Sequence, residues 1–396
     1  MSAPRRSTHL TLRLRKPLER AVRAGHPWVF REALEAFDAA PGTAARVFDR
    51  NGKFLAAGFI DAGPIALRVF SLRDEPLDEA FLRSRITRAL SLRERCVPPD
   101  TDAYRLFHGE GDGLPGFVCD RYGAAAVLKL DGEAAHVHSK LFVSALTPAL
   151  AGLGITSLLL RTSRKQGDSC EVVWGSAPAR ELTVLERGMR LWTNLYEGQK
   201  TGLFLDHRET RYRVRQLARG LSVLNLYGYT GGFSVAAGLG GARHVTTVDQ
   251  AKPAIALAER SYRDHVPEAG RAPHVCHAAD ALAFLESAAA SGERYELVIA
   301  DPPNFAPRKQ ALEQALKAYE ALHTAALRVL VPDGLYLAAS CSSHVDRAAF
   351  EETIRRGAAH GRRVVQVLER EGAPADHPRL LAFPEGDYLK VTLARA

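Results

Sequence analysis

The sequence predicts an α/β chain whose carboxyl-terminal half is a Rossmann-like, doubly wound parallel sheet, preceded by a small β-rich domain and a central α+β domain. Three observations carry this expectation. From about residue 195, apolar runs at 221–226, 244–248, 296–300, 334–340, 363–369 and 387–393 alternate with helical stretches, as strands do when helices cover both faces of a sheet. Residues 1 to about 75 hold shorter apolar runs broken by Gly, Pro and Asp. A length of 396 residues, at roughly 150 residues per domain, asks for two or three domains.

Taken in order, His9–Arg15 alternates apolar and polar residues as a strand does. Further strands are expected at Pro27–Phe30, Ala45–Asp49, Asn51–Leu55 and Ile65–Phe70, with Asn51-Gly52 as a hairpin signal between apolar runs. These form a first domain over 1–75. Asp78–Arg95 places Ala80, Phe81, Ile86 and Leu90 against arginines at 83, 85, 88, 93 and 95, an amphipathic linker helix with a basic face that stops before Pro98-Pro99. Strands around turns at Gly111-Asp112-Gly113, Asp131-Gly132 and Arg187-Gly188, with one apolar helix near 138–151, complete a second domain over 76–190. The third spans 191–396.

Composition sets the class. Hydrophobic residues make up 46% and charged residues 25%, with 32 Gly and 21 Pro, which excludes collagen-like, mucin-like and wholly disordered chains. No run approaches the ~18 uncharged apolar residues of a bilayer-spanning helix, so a soluble protein with no membrane partner is expected. The net charge is +8, and residues 1–31 alone carry eight basic side chains (Arg5, Arg6, Arg13, Arg15, Lys16, Arg20, Arg23, Arg31) against Glu19. Such a field suits a polyanion, because neutralised phosphates release counterions; the plainer reading is a solubilising basic end. Five widely spaced cysteines without a C-x-x-C pair argue against a disulfide scaffold or a zinc site, and no metal is expected. No apolar h-region follows the basic start, so a reducing cytoplasm is the expected compartment.

The chemistry gathers at strand ends. Leu221–Ser234 reads as a strand, a glycine turn and a helix start, which nominates Asn225, Tyr227, Gly228, Thr230, Gly231, Gly232 and Phe233 for cofactor binding. The turn departs from G-x-G-x-x-G, which weakens a pyrophosphate loop. Asp249 ends the next strand, where a carboxylate takes both hydroxyls of a ribose, and Asp280 follows His274-Val275-Cys276 at the place of an adenine-edge contact. Three such ends in order fit S-adenosylmethionine better than NAD. The plain alternative is that Asp249 and Asp280 cap the helices after them.

The strand Glu296–Ala300 runs into Asp301-Pro302-Pro303-Asn304-Phe305, where two prolines stiffen a loop beside the methyl donor. Asp301 is expected to touch the donor and grip a base edge, with Pro302 beside it and Phe305 stacking on the base. Gly334–Ser340 delivers Cys341 to the edge where open α/β sheets place their chemistry. Methylating carbon 5 of a pyrimidine needs a nucleophile at carbon 6, and a thiolate serves. The thiol, ordinarily near pKa ~8.5, is expected to be lowered by positive charge, with Lys200 and Arg208 as the candidates. Cys96, Cys119, Cys170 and Cys276 are read as small buried hydrophobes.

Glu197–Arg208, the Leu224–Ser234 loop, Asp301–Phe305, Ser340-Cys341-Ser342 and Phe383–Lys390 together resemble the bacterial large-subunit ribosomal RNA cytosine-5 methyltransferases. Gly25–Phe30 resembles the opening of that family's PUA domain and Gly111–Gly123 its central domain, so the likeness spans nearly the whole chain. The resemblance implies a class I methyltransferase fold, S-adenosylmethionine as donor and cytosine of 23S ribosomal RNA, naked or in the large-subunit particle, as substrate. It implies Cys341 as the nucleophile, matching the family's S-C-S cysteine, and Asp301 as the aspartate of its D-P-P-K-F. The family's lysine is Asn304 here; Arg308 and Lys309 stand near enough in sequence to restore charge. The base that removes the carbon-5 proton and the existence of a homodimer are not legible. Two rival readings are methylation of a base nitrogen, which needs no thiol, and a non-catalytic RNA-binding assembly factor.

Overall fold

The computed structural model describes residues 9–164 and 167–396, which divide into two compact units. Arg5 and Arg6 of the basic amino terminus lie outside the described residues. Among those described, no helix is long and apolar enough to cross a membrane.

The first unit comprises residues 1–97, 103–179 and 375–386. Leu10–Arg13, Ala44–Phe48, Phe54–Ile60, Ile65–Ser71 and Trp28–Phe30 pair in that order into a five-stranded sheet over Leu12, Val29, Val47, Ile60 and Leu67. Gly52, with φ +78°, turns the chain between Ala44–Phe48 and Phe54–Ile60, where Asn51-Gly52 marks the hairpin. A second five-stranded sheet runs from Ala103–His108 through Phe117–Tyr122, Ala125–Leu130 and Ser157–Arg164 to Gly167–Gly175. The helices Glu79–Cys96 and Ser139–Gly152 bury Leu82, Ile86, Phe142 and Leu146 in its core. Asp78 caps the first of these helices by accepting from the N–H of Phe81. Arg93, expected on the basic face, is buried instead: its guanidinium chelates Asp112 through two 2.7 Å hydrogen bonds. The helical repeat alone places residue 93 beside 86 and 89, on the inward stripe.

The second unit comprises residues 98–102, 180–374 and 387–396. It begins with a hairpin, Glu181–Glu186 and Met189–Asn194, turned by Arg187 and Gly188 at φ +48° and +69°. Its centre is a seven-stranded sheet built of β1 (Ser222–Leu226), β2 (His244–Asp249), β3 (His274–Ala278), β4 (Tyr295–Ala300), β5 (Leu330–Ser340), β6 (Gln366–Glu371) and β7 (Lys390–Arg395). The order is β3-β2-β1-β4-β5-β7-β6, so the chain winds outward in both directions from β1. β1 is buried at every residue, as a central parallel strand covered on both faces must be. The first five strands are parallel; β7 is antiparallel to both β5 and β6, so the all-parallel expectation fails at this edge. An apolar run encodes burial, not direction, so the reversal was not readable from periodicity. The last two strands also begin about three residues later than the apolar runs do.

Candidate active site

The loops after β1, β2, β4 and β5 open at one edge of the sheet, beside the point where the strand order reverses between β1 and β4. They line a cleft of about 710 Å³, within the size range of cofactor pockets.

The glycine turn forms its floor. A Cβ on Gly228 would lie 2.4 Å from Thr247 Cγ2, so only bare backbone fits between the turn and β2. Gly231 caps the helix Gly232–Leu239 at φ +80°, where an added Cβ would meet Ala258 at 2.8 Å. Tyr227 and Tyr229 also carry positive φ, +55° and +46°, a strained state for a side-chain-bearing residue that its surroundings must impose. Asp249 helps impose it by accepting from the Tyr229 N–H at 2.9 Å through Oδ2, while Oδ1 accepts from the Ala251 N–H at 2.8 Å. The Tyr229 hydroxyl donates to the Gly202 carbonyl at 3.1 Å and accepts from the Gln199 N–H at 2.7 Å, tying the Glu197–Gly202 segment to the turn.

Asp280 is the N-cap of helix Ala281–Ser291, accepting from Leu282 and Ala283 N–H groups, and its other oxygen accepts from Gln250 Nε2 at 2.6 Å. Asp280 therefore does the capping work that the plain alternative gave to both aspartates, whereas the helix Lys252–His265 starts at Ala251 with no side-chain cap and Asp249 holds the glycine turn instead; both face the cleft. An ionised carboxylate has about four acceptor sites, so each oxygen of Asp249 keeps room for a hydroxyl after its single backbone bond. Those acceptors, and a turn that admits no Cβ at Gly228, fit the ribose and methionine portions of S-adenosylmethionine.

Lys200, Tyr227, Gly228, Thr230, Gly232, Phe233, Asp249, Asp280, Asp301, Pro302, Phe305 and Cys341 all line the cleft. Three nominated residues do not. Asn225 is wholly buried, its Nδ2 donating to Ser234 Oγ at 2.9 Å behind the turn, in a chain that continues to Thr247 and His274. Gly231 packs against Ala258. Arg208 is 1% exposed and bonds Glu209 at 3.0 Å, away from the cleft, because the helix Arg208–Leu217 turns it inward.

At the chemical end, His207 Nε2 lies 3.2 Å from Asp301 Oδ2, while His207 Nδ1 is buried without a hydrogen-bond partner among the described residues. Lys200 Nζ pairs with Asp206 Oδ2 at 3.0 Å and sits 4.4 Å over the Phe204 ring; the Tyr388 hydroxyl donates to the same carboxylate oxygen at 2.8 Å. Phe305 packs 4.9 Å from the Tyr319 ring. The Cys341 thiol is pushed up, first by burial and then by Asp301; Lys200 acts to lower it and Asp206 to raise it. The lowered thiol expected from sequence is therefore not what these residues alone produce, since desolvation and two carboxylates outweigh one lysine, and Arg208 is elsewhere. Cys119 is buried, whereas Cys96, Cys170 and Cys276 are half-buried.

Two residues had no role in the sequence reading. Lys390 at the start of β7 is 3% exposed, donates to the carbonyls of Ser342 at 2.5 Å and Tyr388 at 2.8 Å, and feels the Cys341 sulfur; burial brings its ammonium down to about 8. A lysine opening an apolar strand was the available signal. Arg211 makes a buried two-pronged pair with Glu186, 2.6 and 2.5 Å, and donates to the Phe204 carbonyl at 2.9 Å along the cleft wall. Nothing local in the sequence marks it.

Residues 131–382 match the S-adenosylmethionine-dependent methyltransferase family, and residues 12–72 match a PUA-like domain. The chain is 36% identical over 406 residues to a ribosomal RNA large subunit methyltransferase of Deinococcus radiodurans, covering 98% of each. It is 34% identical over 385 residues to ribosomal RNA large subunit methyltransferase I of Salmonella arizonae, covering 95% of each. The fold is similar to that of a SAM-dependent methyltransferase from Streptococcus mutans, with a TM-score of 0.86 at 22% identity over 98% of this chain and 100% of that one. A methyltransferase solved in complex with SAH gives 0.86 at 23% identity over the same shares. These likenesses bear out the expected fold class and the expected methyl donor. The chain belongs to the S-adenosylmethionine-dependent methyltransferases, in the group of ribosomal RNA large subunit methyltransferases that carry a PUA-like domain.

Proposed function

We propose that the chain forms 5-methylcytosine in 23S ribosomal RNA, in the cytoplasm, through a transient bond between Cys341 and carbon 6 of the base. One observation carries this reading: Cys341 leaves β5 into the same cleft as the glycine turn and the Asp301-Pro302-Pro303 loop. Curated relatives named as ribosomal RNA large subunit methyltransferases support the substrate class. Residues 1–75 serve as a PUA-like RNA-binding domain, 76–190 as linker helix and central domain, and 191–396 as the catalytic domain.

In this reading Gly228, Asp249 and Asp280 hold the donor, which supplies an electrophilic methyl group on a positively charged sulfur. Asp301, steadied by His207, grips the edge of a cytosine drawn out of its stack, and Phe305 covers its face. The Cys341 thiolate adds to carbon 6, and the displaced ring electrons make carbon 5 nucleophilic enough to take the methyl group. Loss of the carbon-5 proton then returns electrons to the ring and expels the thiolate. At neutral pH the Lys390 ammonium, which interacts with the Cys341 sulfur, is still charged and favours the thiolate over the thiol.

The test is RNA carrying 5-fluorocytosine, whose fluorine cannot leave as a proton does. With donor present, a denaturant-stable protein–RNA adduct is expected from the native chain and not from Cys341→Ser, whose turnover on natural RNA should fall by on the order of 10⁴-fold or more. An active enzyme that never forms the adduct refutes the covalent route. The raised thiol favours one alternative, methylation of a base nitrogen without covalent attack. Normal turnover of Cys341→Ala with an N-methylated product would establish it. RNA binding with no methyl incorporation would instead mark a non-catalytic assembly factor.

A further inference from the structure

The first unit holds a second concavity, of about 970 Å³, bounded by the turn after Ile65–Ser71, the outward stripe of the helix Glu79–Cys96 and the Glu110–Gly113 turn. Along that helix Phe81, Arg85, Arg88, Leu92 and Arg95 recur every three or four residues and line the groove together. With a rise of about 1.5 Å per residue, Arg85 and Arg95 stand about 15 Å apart along the axis. Arg73 joins them from the opposite wall.

The basic charge here is only partly compensated, the Glu75 carboxylate acting on Arg85. Arg73, Arg88 and Arg95 are exposed and make no ion pair among the described residues. Arg85 donates to the Phe70 carbonyl at 3.3 Å and lies 4.9 Å over the Phe81 ring. Two of the groove's carboxylates are spent: Asp112 on Arg93, and Glu110 on Arg68 at 2.8 Å and the Trp28 indole at 2.9 Å. Glu75 accepts from the Ser71 hydroxyl. Burial above all draws the Arg85 guanidinium below its usual range; the Glu75 carboxylate acts the other way, and Arg88 and Arg73 close by add to the lowering as crowded like charges do. Several amino-terminal basic residues are by contrast consumed internally: Lys16 pairs with Glu32 at 2.9 Å, Arg23 with Asp49 at 2.9 Å, and Arg31 donates to the carbonyls of Asp61 and Gly63.

We propose that this groove docks the sugar–phosphate backbone of the substrate RNA, holding a stretch away from the target nucleotide without reading its sequence. The inference rests on the reading that RNA is the substrate and gives it a second point of attachment. Guanidinium groups strung over about 15 Å with no common focus suit an extended polyanion rather than one phosphate. Leu72 and Leu92, 44% and 38% exposed, offer apolar surface between the charges for sugars and base faces.

The test measures binding of the full chain to a 23S rRNA transcript from 50 to 200 mM salt, without donor, so that its outcome does not depend on which atom is methylated. The triple variant Arg73→Gln/Arg88→Gln/Arg95→Gln should bind at least about tenfold more weakly at low salt, with a log–log salt slope shallower by about 2. A charge-matched control on exposed arginines outside the groove, Arg219→Gln/Arg294→Gln/Arg328→Gln, should change neither by more than twofold. Unchanged melting and donor binding will show that both variants fold. Equal losses in the two variants, or no loss in the first, overturn the proposal while leaving the adduct experiment to decide the reaction. Loss of poly-glutamate binding with RNA binding intact also overturns it, in favour of an acidic protein partner.

Discussion

Asn304 Oδ1 accepts a hydrogen bond from Ser342 Oγ at 2.6 Å, tying the loop after β4 to the loop after β5 directly beside Cys341. The same oxygen accepts from the Ala306 N–H at 3.0 Å, and the Tyr319 hydroxyl meets Ser340 Oγ at 2.9 Å behind it. Where the resemblance leads one to expect a charged lysine reaching toward substrate, a neutral amide instead sets the spacing between the Asp301 loop and the thiol.

Removing that oxygen leaves the Ala306 N–H only its 3.4 Å bond to Ser342 Oγ, and the Ser342 hydroxyl only its 3.4 Å contact with the Tyr319 hydroxyl. Asn304→Ala should cost about 1–3 kcal/mol in denaturant unfolding and lower methyl transfer more than donor affinity. Asn304→Asp, which keeps an acceptor, should recover most of the stability. A cycle with Ser342→Ala should return a coupling of about 1 kcal/mol; additive losses would show the two loops to be independent.

Donor binding should fail in Gly228→Ala, because the new methyl would sit 2.4 Å from Thr247 Cγ2. Thr247→Ser removes that carbon while retaining the hydroxyl that meets Ser234 at 2.6 Å. The double variant should therefore bind donor more tightly than Gly228→Ala alone. Calorimetric titration checks both, and equal affinities for the single and double variants would exclude the steric account.

Lys390 makes stability depend on pH in a defined window. Its folded value of about 8 lies below the ordinary 10.5. Below about 8 the lysine is charged in the folded and unfolded chain alike, and folding bears the full cost of burying the charge. Between the two values the unfolded chain binds a proton that the folded chain has lost, so stability rises with pH and levels off above 10.5. Lys390→Met should flatten this rise in unfolding curves and move alkylation of Cys341 to higher pH, since the thiolate loses a neighbouring cation.

The buried pair of Arg211 and Glu186 should cost more to break than to replace. Arg211→Met strands the Glu186 carboxylate and Glu186→Gln strands the Arg211 guanidinium, each at about 3–5 kcal/mol. Replacing both, with Met and Leu, should cost less than Arg211→Met alone. Thermal unfolding decides it.

The order of strands and loops was legible because each rests on local chemistry. Apolar runs name the strands, glycines name the turn after β1, and Asp249, Asp301 and Cys341 each stand directly after such a run, so the sheet brings them to one edge wherever its other strands pair. Three matters were decided only by the tertiary structure. Arg208 faces inward while Arg211, one turn on, walls the cleft; Lys390 rather than Arg208 lies beside the thiol; and β7 runs against its neighbours. Each turns on the partner a charge or a strand meets across long sequence separation, and on how much water that meeting excludes, which no window of neighbouring residues contains.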